Sequence, residues 1–293
     1  MMKEALRKFV QENPKLVAMR SAGEGLYVLK YKKNVFYDNL WNDYLEECRG
    51  TIVDEDFNIV SYPFTKVYNY GVEAKAPVFG DSVMVDAYRK VNGFMVAVTW
   101  HNDDILVSTT GSTDSDFVNY AKEMIRPTLS RFRGVCEKHS TYTFMFECVH
   151  RNDPHIIPET EGMYYLGHRL KMWGSPVEVS TDMPSMFGCY GTEHMRISVG
   201  ELKELVKNVR HEGFVFYAMG GVSSKIKSPW YLTNKWVARN PRTDKLVNMQ
   251  NDIKKNLDEE YYPLVDAIRA NIDEYTALDE QARLAWVRNY MEA

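Results

Sequence analysis

The sequence predicts an α+β protein, with antiparallel sheets flanked by helices over residues 1–239 and a small all-α module over residues 240–293. Three observations predict it. Short alternating runs of apolar and polar residues, bounded by turn residues, dominate the chain up to about residue 235, and a period of two is that of half-buried strands. Few long helical stretches separate these runs, which favours antiparallel pairing over a doubly wound parallel sheet. Beyond Asn240 the texture becomes polar, acidic and helix-periodic.

In chain order, strands are predicted over 25–31, 93–99, 105–109, 141–149, 213–218 and 224–227. His101-Asn102-Asp103-Asp104 separates the second from the third as a hairpin loop. A helix over 115–124 is read from the spacing of Phe117, Tyr120 and Met124. Ser198 followed by Glu201 has the pattern of a capping box and opens a helix through Val209. Near the C-terminus, Ala282, Leu284, Trp286, Val287 and Met291 fall on one helical stripe. A module this short buries little core alone, so it is expected to dock on the larger part.

The 293 residues suffice for one large domain and a small one. An apolar fraction of 45% with 26% charged residues is the balance of a soluble globular protein. The 13% aromatic content suits base stacking, but an ordinary β-rich core is the readier explanation. A net charge of −4 excludes a polycation that coats nucleic acid, so any such contact needs a local basic groove. Lys30, Lys32 and Lys33 form one basic cluster and Arg126, Arg131 and Arg133 another, and each, taken alone, reads first as a solvated face.

Cys48, Cys136, Cys148 and Cys189 show no CxxC spacing, which argues against a thiolate zinc site or a disulfide framework. His150 and His155 lack a third ligand at metal spacing. With no apolar leader and no run of the roughly 18 apolar residues a membrane span needs, the chain is expected to be cytoplasmic.

Charged residues interrupt several strands. In Lys225-Ile226-Lys227 the period of two sends both lysines to one face, where they repel unless an anion sits between them. Glu147 interrupts the apolar run Phe144 to Val149, and Glu212 opens the run that starts at Gly213. A buried carboxylate needs a cation, a metal or a ligand hydroxyl as partner. Lys90-Val91-Asn92-Gly93 presents an amine on a turn, but KxxG recurs by chance, and Lys171-Met172-Trp173-Gly174 is a second copy. Order separates them. Lys90 precedes the Glu147, Glu212 and Lys225/Lys227 strands in turn, whereas Lys171 falls between the two glutamate strands.

The ordered series KxxG, FxFE, EGxV and KxK resembles the signature of covalent nucleotidyltransferases, the ATP-dependent ligases and RNA capping enzymes. Glu47-Cys48-Arg49-Gly50, the segment 61–69 with Lys66, and the segment 225–231 look like the bacteriophage RNA ligase 1 family, the tRNA-repair type. The resemblance covers about residues 25–235. It implies a nucleotidyltransferase fold with ATP in the groove between its sheets.

Position by position, it implies that Lys90 becomes adenylated, and that Arg49 and Lys66 contact the outer phosphates of ATP. Tyr31 and Tyr231 match aromatic residues around the phosphates. Glu147 matches a carboxylate at the ribose that supports catalysis, and Glu212 one at the metal and nucleotide. Lys225 and Lys227 match the pair on the α-phosphate, whereas Lys235 matches nothing. There are departures: Asn92 stands where most members have Asp, Phe94 where they have Ser or Thr, and Thr109-Thr110-Gly111-Ser112 lacks a basic residue.

A lysine with a pKa of about 10.4 is protonated at neutral pH, and neighbouring cations would help it shed that proton. The implied cofactors are ATP as substrate with Mg2+ or Mn2+. The implied partner is RNA, single-stranded or a broken tRNA loop, whose ends a kinase or phosphatase would prepare. A monomer is expected, in the host cytoplasm if phage-encoded. The alternatives are a DNA ligase or capping enzyme, or a non-catalytic RNA-end-binding protein. Because residues 240–293 hold none of the matched positions, they are expected to select RNA or stabilise the fold and to take no part at ATP.

Overall fold

The computed structural model describes residues 2–153, 155, 157–239 and 259–292, so the predicted boundary at Asn240 lies outside the described residues. The chain folds into two compact units that it enters by turns: residues 1–66 with 91–192, and residues 67–90 with 193–293.

The first unit holds two sheets. The N-terminal one is a four-stranded antiparallel meander, β1 (Val17–Gly23), β2 (Leu26–Tyr31), β3 (Arg49–Val53) and β4 (Ile59–Ser61), preceded by helix α1 (Met2–Glu12). Two short helices, α2 (Lys33–Tyr37) and α3 (Asp43–Glu47), join β2 to β3. Asn42 caps α3 by accepting from the Tyr44 and Leu45 amides.

Numbering strands along the chain, with β5 and β6 in the second unit, the other sheet runs in the order β11-β10-β9-β7-β8. Its strands are β7 (Phe94–His101), β8 (Asp104–Thr109), β9 (Tyr142–Val149), β10 (Gly162–Leu170) and β11 (Val177–Glu178). The predicted hairpin loop is a two-residue turn with Asn102 and Asp103 at φ 48° and 59°, values these side chains tolerate. Helices α4 (Asp116–Ile125), α5 (Leu129–Lys138) and α6 (Met183–Phe187) cover this sheet. Val96, Val98, Phe132, Phe144, Phe146 and Phe187 are buried together there as the unit's main core.

The second unit is built on the sheet β12-β6-β13-β14-β5. It comprises β5 (Tyr68–Asn69), β6 (Met84–Arg89), β12 (His194–Ser198), β13 (Gly213–Tyr217) and β14 (Ser223–Lys227). All ladders between the named strands are antiparallel except β14 with β5. Helix α7 (Val199–Asn208) starts at the predicted capping box and buries Val199, Leu202 and Val206 against Val85, Phe214 and Phe216.

Helix α8 (Pro229–Arg239) follows β14. A 3-10 turn (Glu259–Tyr261) leads into α9 (Tyr262–Ala270), α10 (Ile272–Ala277) and α11 (Glu280–Glu292). These helices share a core with α8, in which Trp236 packs with Tyr261, Leu264, Val265, Ile268, Tyr275 and Val287. The predicted stripe on α11 is in place at Val287, Trp286 and Met291. Among the described residues no helix is long and apolar enough to cross a membrane.

Candidate active site

The second unit brings four of the sequence candidates into one network. Lys90 follows β6, and its amide donates to the Gly213 carbonyl at 2.9 Å. Its Nζ stands 3.1 Å from Oε2 of Glu212, whose other oxygen lies 3.7 Å from Nζ of Lys227. Gly213 makes this placement possible. It adopts φ +127°, and a Cβ there would lie 2.1 Å from the Ile226 carbonyl oxygen, so only glycine lets β14 come this close.

The alternation read in the sequence holds along β14. Ile226 packs on the core with Phe214, while Lys225 and Lys227 take the other face. The anion that Lys227 requires is supplied by two carboxylates, Glu212 and Glu260. Glu260 also accepts from Lys235 at 3.2 Å, and the Lys227 and Lys235 ammonium groups lie 5.6 and 5.9 Å from the centre of the buried Tyr231 ring. Next to it, Glu259 accepts from the Asn69 side chain at 3.0 Å. Burial opposes the charge on Lys227, but Glu260 and Glu212 together outweigh it and hold its pKa above the ordinary lysine value. Burial likewise opposes the Glu260 carboxylate, which Lys227 and Lys235 keep well below the usual carboxylate range.

The C-terminal segment, expected to select RNA or stabilise the fold, sends Glu260 to Lys227, a contact that sequence reasoning did not find. An acidic run reads locally as a solvated surface, and nothing in its spacing names a partner 33 residues earlier.

The first unit gathers the other candidates in two places. Tyr31 packs edge-on against Trp41 at 4.7 Å between ring centres, with the Arg49 guanidinium 6.0 Å from the Tyr31 ring. Lys66 is buried, with Nζ 4.8 Å from the Trp41 ring centre and 5.6 Å from that of Phe36. Buried Arg169 ties these segments together, binding Glu47 at 2.9 and 3.2 Å and donating to the Pro63 carbonyl at 2.9 Å. Arg169 therefore fixes where Arg49 and Lys66 stand, and sequence reasoning did not find it.

The second place is the turn after Lys90. The Gly93 amide donates to Glu147 at 3.2 Å, and a Cβ on Gly93 would lie 2.4 Å from the Cys148 carbonyl oxygen. The Asn92 amide donates to Glu159 at 3.3 Å, and its side-chain oxygen accepts from the Ile157 amide at 3.4 Å. Asn92 thus acts as a buried acceptor, a task that needs no charge. Glu159 is a second residue the sequence did not single out.

The rival motif is occupied otherwise. Lys171 donates to the Trp100 carbonyl at 2.9 Å, and burial pushes its pKa down to about 8. Arg131 and Arg133 of the mid-chain basic cluster reach the Ser185 carbonyl at 3.4 Å and Asp104 at 3.3 Å. Of the two histidines, His150 contacts Glu123 at 3.3 Å and His155 contacts Asp153 at 2.8 Å. Among the described residues no group of three or more His, Cys, Asp or Glu side chains could hold a metal unaided.

A family model described as RNA ligase, of the T4 RNA ligase 1 type, matches residues 47–231, which include every candidate above except Tyr31, Lys235, Glu259 and Glu260. The chain belongs to the RNA ligase family. No curated protein matches this RNA ligase in sequence. Its fold is that of ATP-dependent polynucleotide ligases. Form 2 of an archaeal ATP-dependent RNA ligase is 15% identical with a TM-score of 0.60, covering 98% of this chain and 76% of that one. Form 1 is 14% identical with the same coverages and TM-score. An Aquifex aeolicus protein described as an ATP-dependent DNA ligase is 13% identical, with a TM-score of 0.58 over 97% of this chain and 78% of its own. The fold alone does not separate RNA from DNA ligases; the family match does.

Proposed function

We propose that this RNA ligase uses ATP to join a 5′-phosphate to a 3′-hydroxyl through a covalent AMP on Lys90. Nζ of Lys90 attacks the α-phosphorus, the bond to the bridging oxygen breaks, and pyrophosphate leaves with the electron pair. AMP then passes to the RNA 5′-phosphate, and a 3′-hydroxyl displaces it to leave a phosphodiester.

The observation that carries this reading is the Lys90–Glu212–Lys227 series, with separations of 3.1 and 3.7 Å. Lys90 meets there the Glu212 and Lys227 motifs, which lie more than a hundred residues further along the chain. Lys227, with Lys225, is assigned to charge on the α-phosphate, Arg49 and Lys66 to the outer phosphates, and Tyr31 and Tyr231 to flanking them. Glu147 is assigned to the ribose and Glu212 to the metal. Lys90 must be unprotonated to attack, and a metal ion bound by Glu212 would loosen the hold of that carboxylate on Nζ. A single carboxylate suits Mg2+ or Mn2+, which one or two carboxylates and substrate phosphates hold with water, and the ion offsets polyphosphate charge.

The finer reading is repair of single-stranded RNA or a broken tRNA loop, within the RNA ligase (ATP) class. The protein acts as a monomer in the cytoplasm, that of the host if phage-encoded, on ends prepared by a kinase or phosphatase. Residues 240–293 form a module that favours one RNA shape over another; their acidity disfavours a nonspecific phosphate clamp. Joining assays with 5′-phosphorylated RNA and DNA strands, each with ATP or GTP, test the reading. RNA sealed with ATP alone supports it; equal use of DNA, or of GTP, contradicts it.

A further inference from the structure

Among the described residues, Lys30 and Arg49 face each other at one corner of the first unit, with Arg20 acting on Lys30 as a third cation, and none of the three is paired with a carboxylate. Lys30, next to last on β2, lies directly opposite Arg49 on β3, and the register shift at this pair is a bulge at Gly50, which adopts φ +101°. A Cβ on Gly50 would lie 2.8 Å from Cα of Thr110, so the bulge packs on the turn after β8. The Lys30 side chain runs across that turn, its Nζ 2.9 Å from where a Gly111 Cβ would sit. Arg20, on β1, is the third cation: burial, then Arg20 and Arg49, pull the Lys30 pKa below the ordinary lysine value, and no carboxylate acts on it. Among the described residues, Lys30, Arg20 and Arg49 make no side-chain ion pair or hydrogen bond.

Like charges directly opposite on neighbouring strands are destabilising, and half-burying one of them costs more. A fold keeps such a cluster where an anion repays it. We infer that Lys30, with Arg20, completes the seat that Arg49 provides for the pyrophosphate end of ATP. This rests on the ligase reading above. Pyrophosphate concentrates several charges on a compact group, as three converging cations require, whereas an RNA strand spreads one charge per phosphate along its backbone. The turn Thr109–Ser112 carries no basic residue of its own, and Gly111 leaves the space that Lys30 fills. When the α-phosphorus is attacked, the leaving oxygen takes the electron pair, and these cations would hold the departing pyrophosphate.

The test is calorimetric titration of the full chain with magnesium pyrophosphate, using the wild type, Lys30→Met and, as control, the exposed Lys122→Met. Lys30→Met should weaken binding about tenfold, the worth of one charge-assisted hydrogen bond, while Lys122→Met changes nothing. Its thermal midpoint should rise, because one of three repelling charges is gone; a lysine with a merely structural task would lower it. In activity, KM for ATP should rise while sealing of RNA supplied already adenylated stays unchanged. Unaltered pyrophosphate affinity overturns the inference, as does lost sealing of pre-adenylated RNA with pyrophosphate binding intact, which would make this an RNA seat. A wild type that takes no label from ATP sinks the ligase reading, and the titration still decides whether the seat binds pyrophosphate.

Discussion

Glu260 holds the Lys227 ammonium from 33 residues further along the chain, and the same carboxylate oxygen accepts from Lys235 at 3.2 Å. A residue of the C-terminal helical segment therefore sets the charge balance around a lysine of the KxK strand. Removing Glu260 takes a carboxylate from two buried cations at once and leaves Glu212, at 3.7 Å, to balance Lys227. Glu260→Ala should lower stability by about 3–5 kcal/mol, the cost of breaking a buried ion pair, read by urea unfolding. A chain ending at Arg239 should be weakened further, since it also uncovers Trp236. Loss below about 1 kcal/mol would show that Glu260 is not buried as described.

The same pair fixes a pH dependence. The folded-state pKa of Glu260 lies below its ordinary value of 4.5, so its contribution is present above that value and lost as pH falls below it. The pKa of Lys227 lies above its ordinary 10.5, so its contribution is present below that value and lost as pH rises through the folded pKa. Between these limits the pair contributes a plateau. Glu260→Gln should flatten the acid limb of the stability curve; an unchanged limb contradicts the assignment.

Lys235 was expected to matter far less than Lys227, because it lies beyond the strand and matches no phosphate contact. Its bond to Glu260 adds a structural task to that expectation. Lys235→Ala should be felt in stability and in adenylation, less than Lys227→Ala but above the level of an exposed lysine. Measured adenylation rates for both variants decide it, and a Lys235→Ala protein indistinguishable from wild type contradicts the network.

Glu147 holds the turn at Gly93 and is proposed to act at the ribose as well. Its carboxylate accepts from the Gly93 amide at 3.2 Å, and Glu147→Gln keeps that acceptor while removing the charge. The variant should keep the wild-type melting midpoint and lose sealing about a hundredfold or more. A lowered midpoint with activity lost in proportion would make Glu147 a purely structural residue of the turn.

Gly213→Ala should be severe, because its Cβ would meet the Ile226 carbonyl at 2.1 Å and φ is +127°. The strand pair carrying Glu212 and Lys227 must then shift, with a loss of at least about 3 kcal/mol. Folding by circular dichroism together with adenylation checks it; a stable, active variant would contradict the close approach of β13 and β14.

Local signals were legible. The box at Ser198 and Glu201, the turn at Asn102 and Asp103, and the opposite faces of Ile226 and Lys227 all follow from one-turn or two-residue rules. The order of Lys90, Glu147, Glu212 and the lysine pair pointed to the family. What stayed hidden is long-range: Arg169 reaches Glu47 across 122 positions, and Glu259 reaches Asn69 across 190. The interleaving of two units was equally hidden, because hydrophobic period records which face is buried and not which segment covers it.

The most direct test of the account is where AMP becomes attached. The full chain is incubated with labelled ATP and magnesium, denatured, digested, and the labelled peptide sequenced by mass spectrometry. One AMP per chain is expected on Lys90, absent from Lys90→Ala and retained by Lys171→Ala. AMP on Lys171, or no covalent AMP on a folded protein, would contradict it.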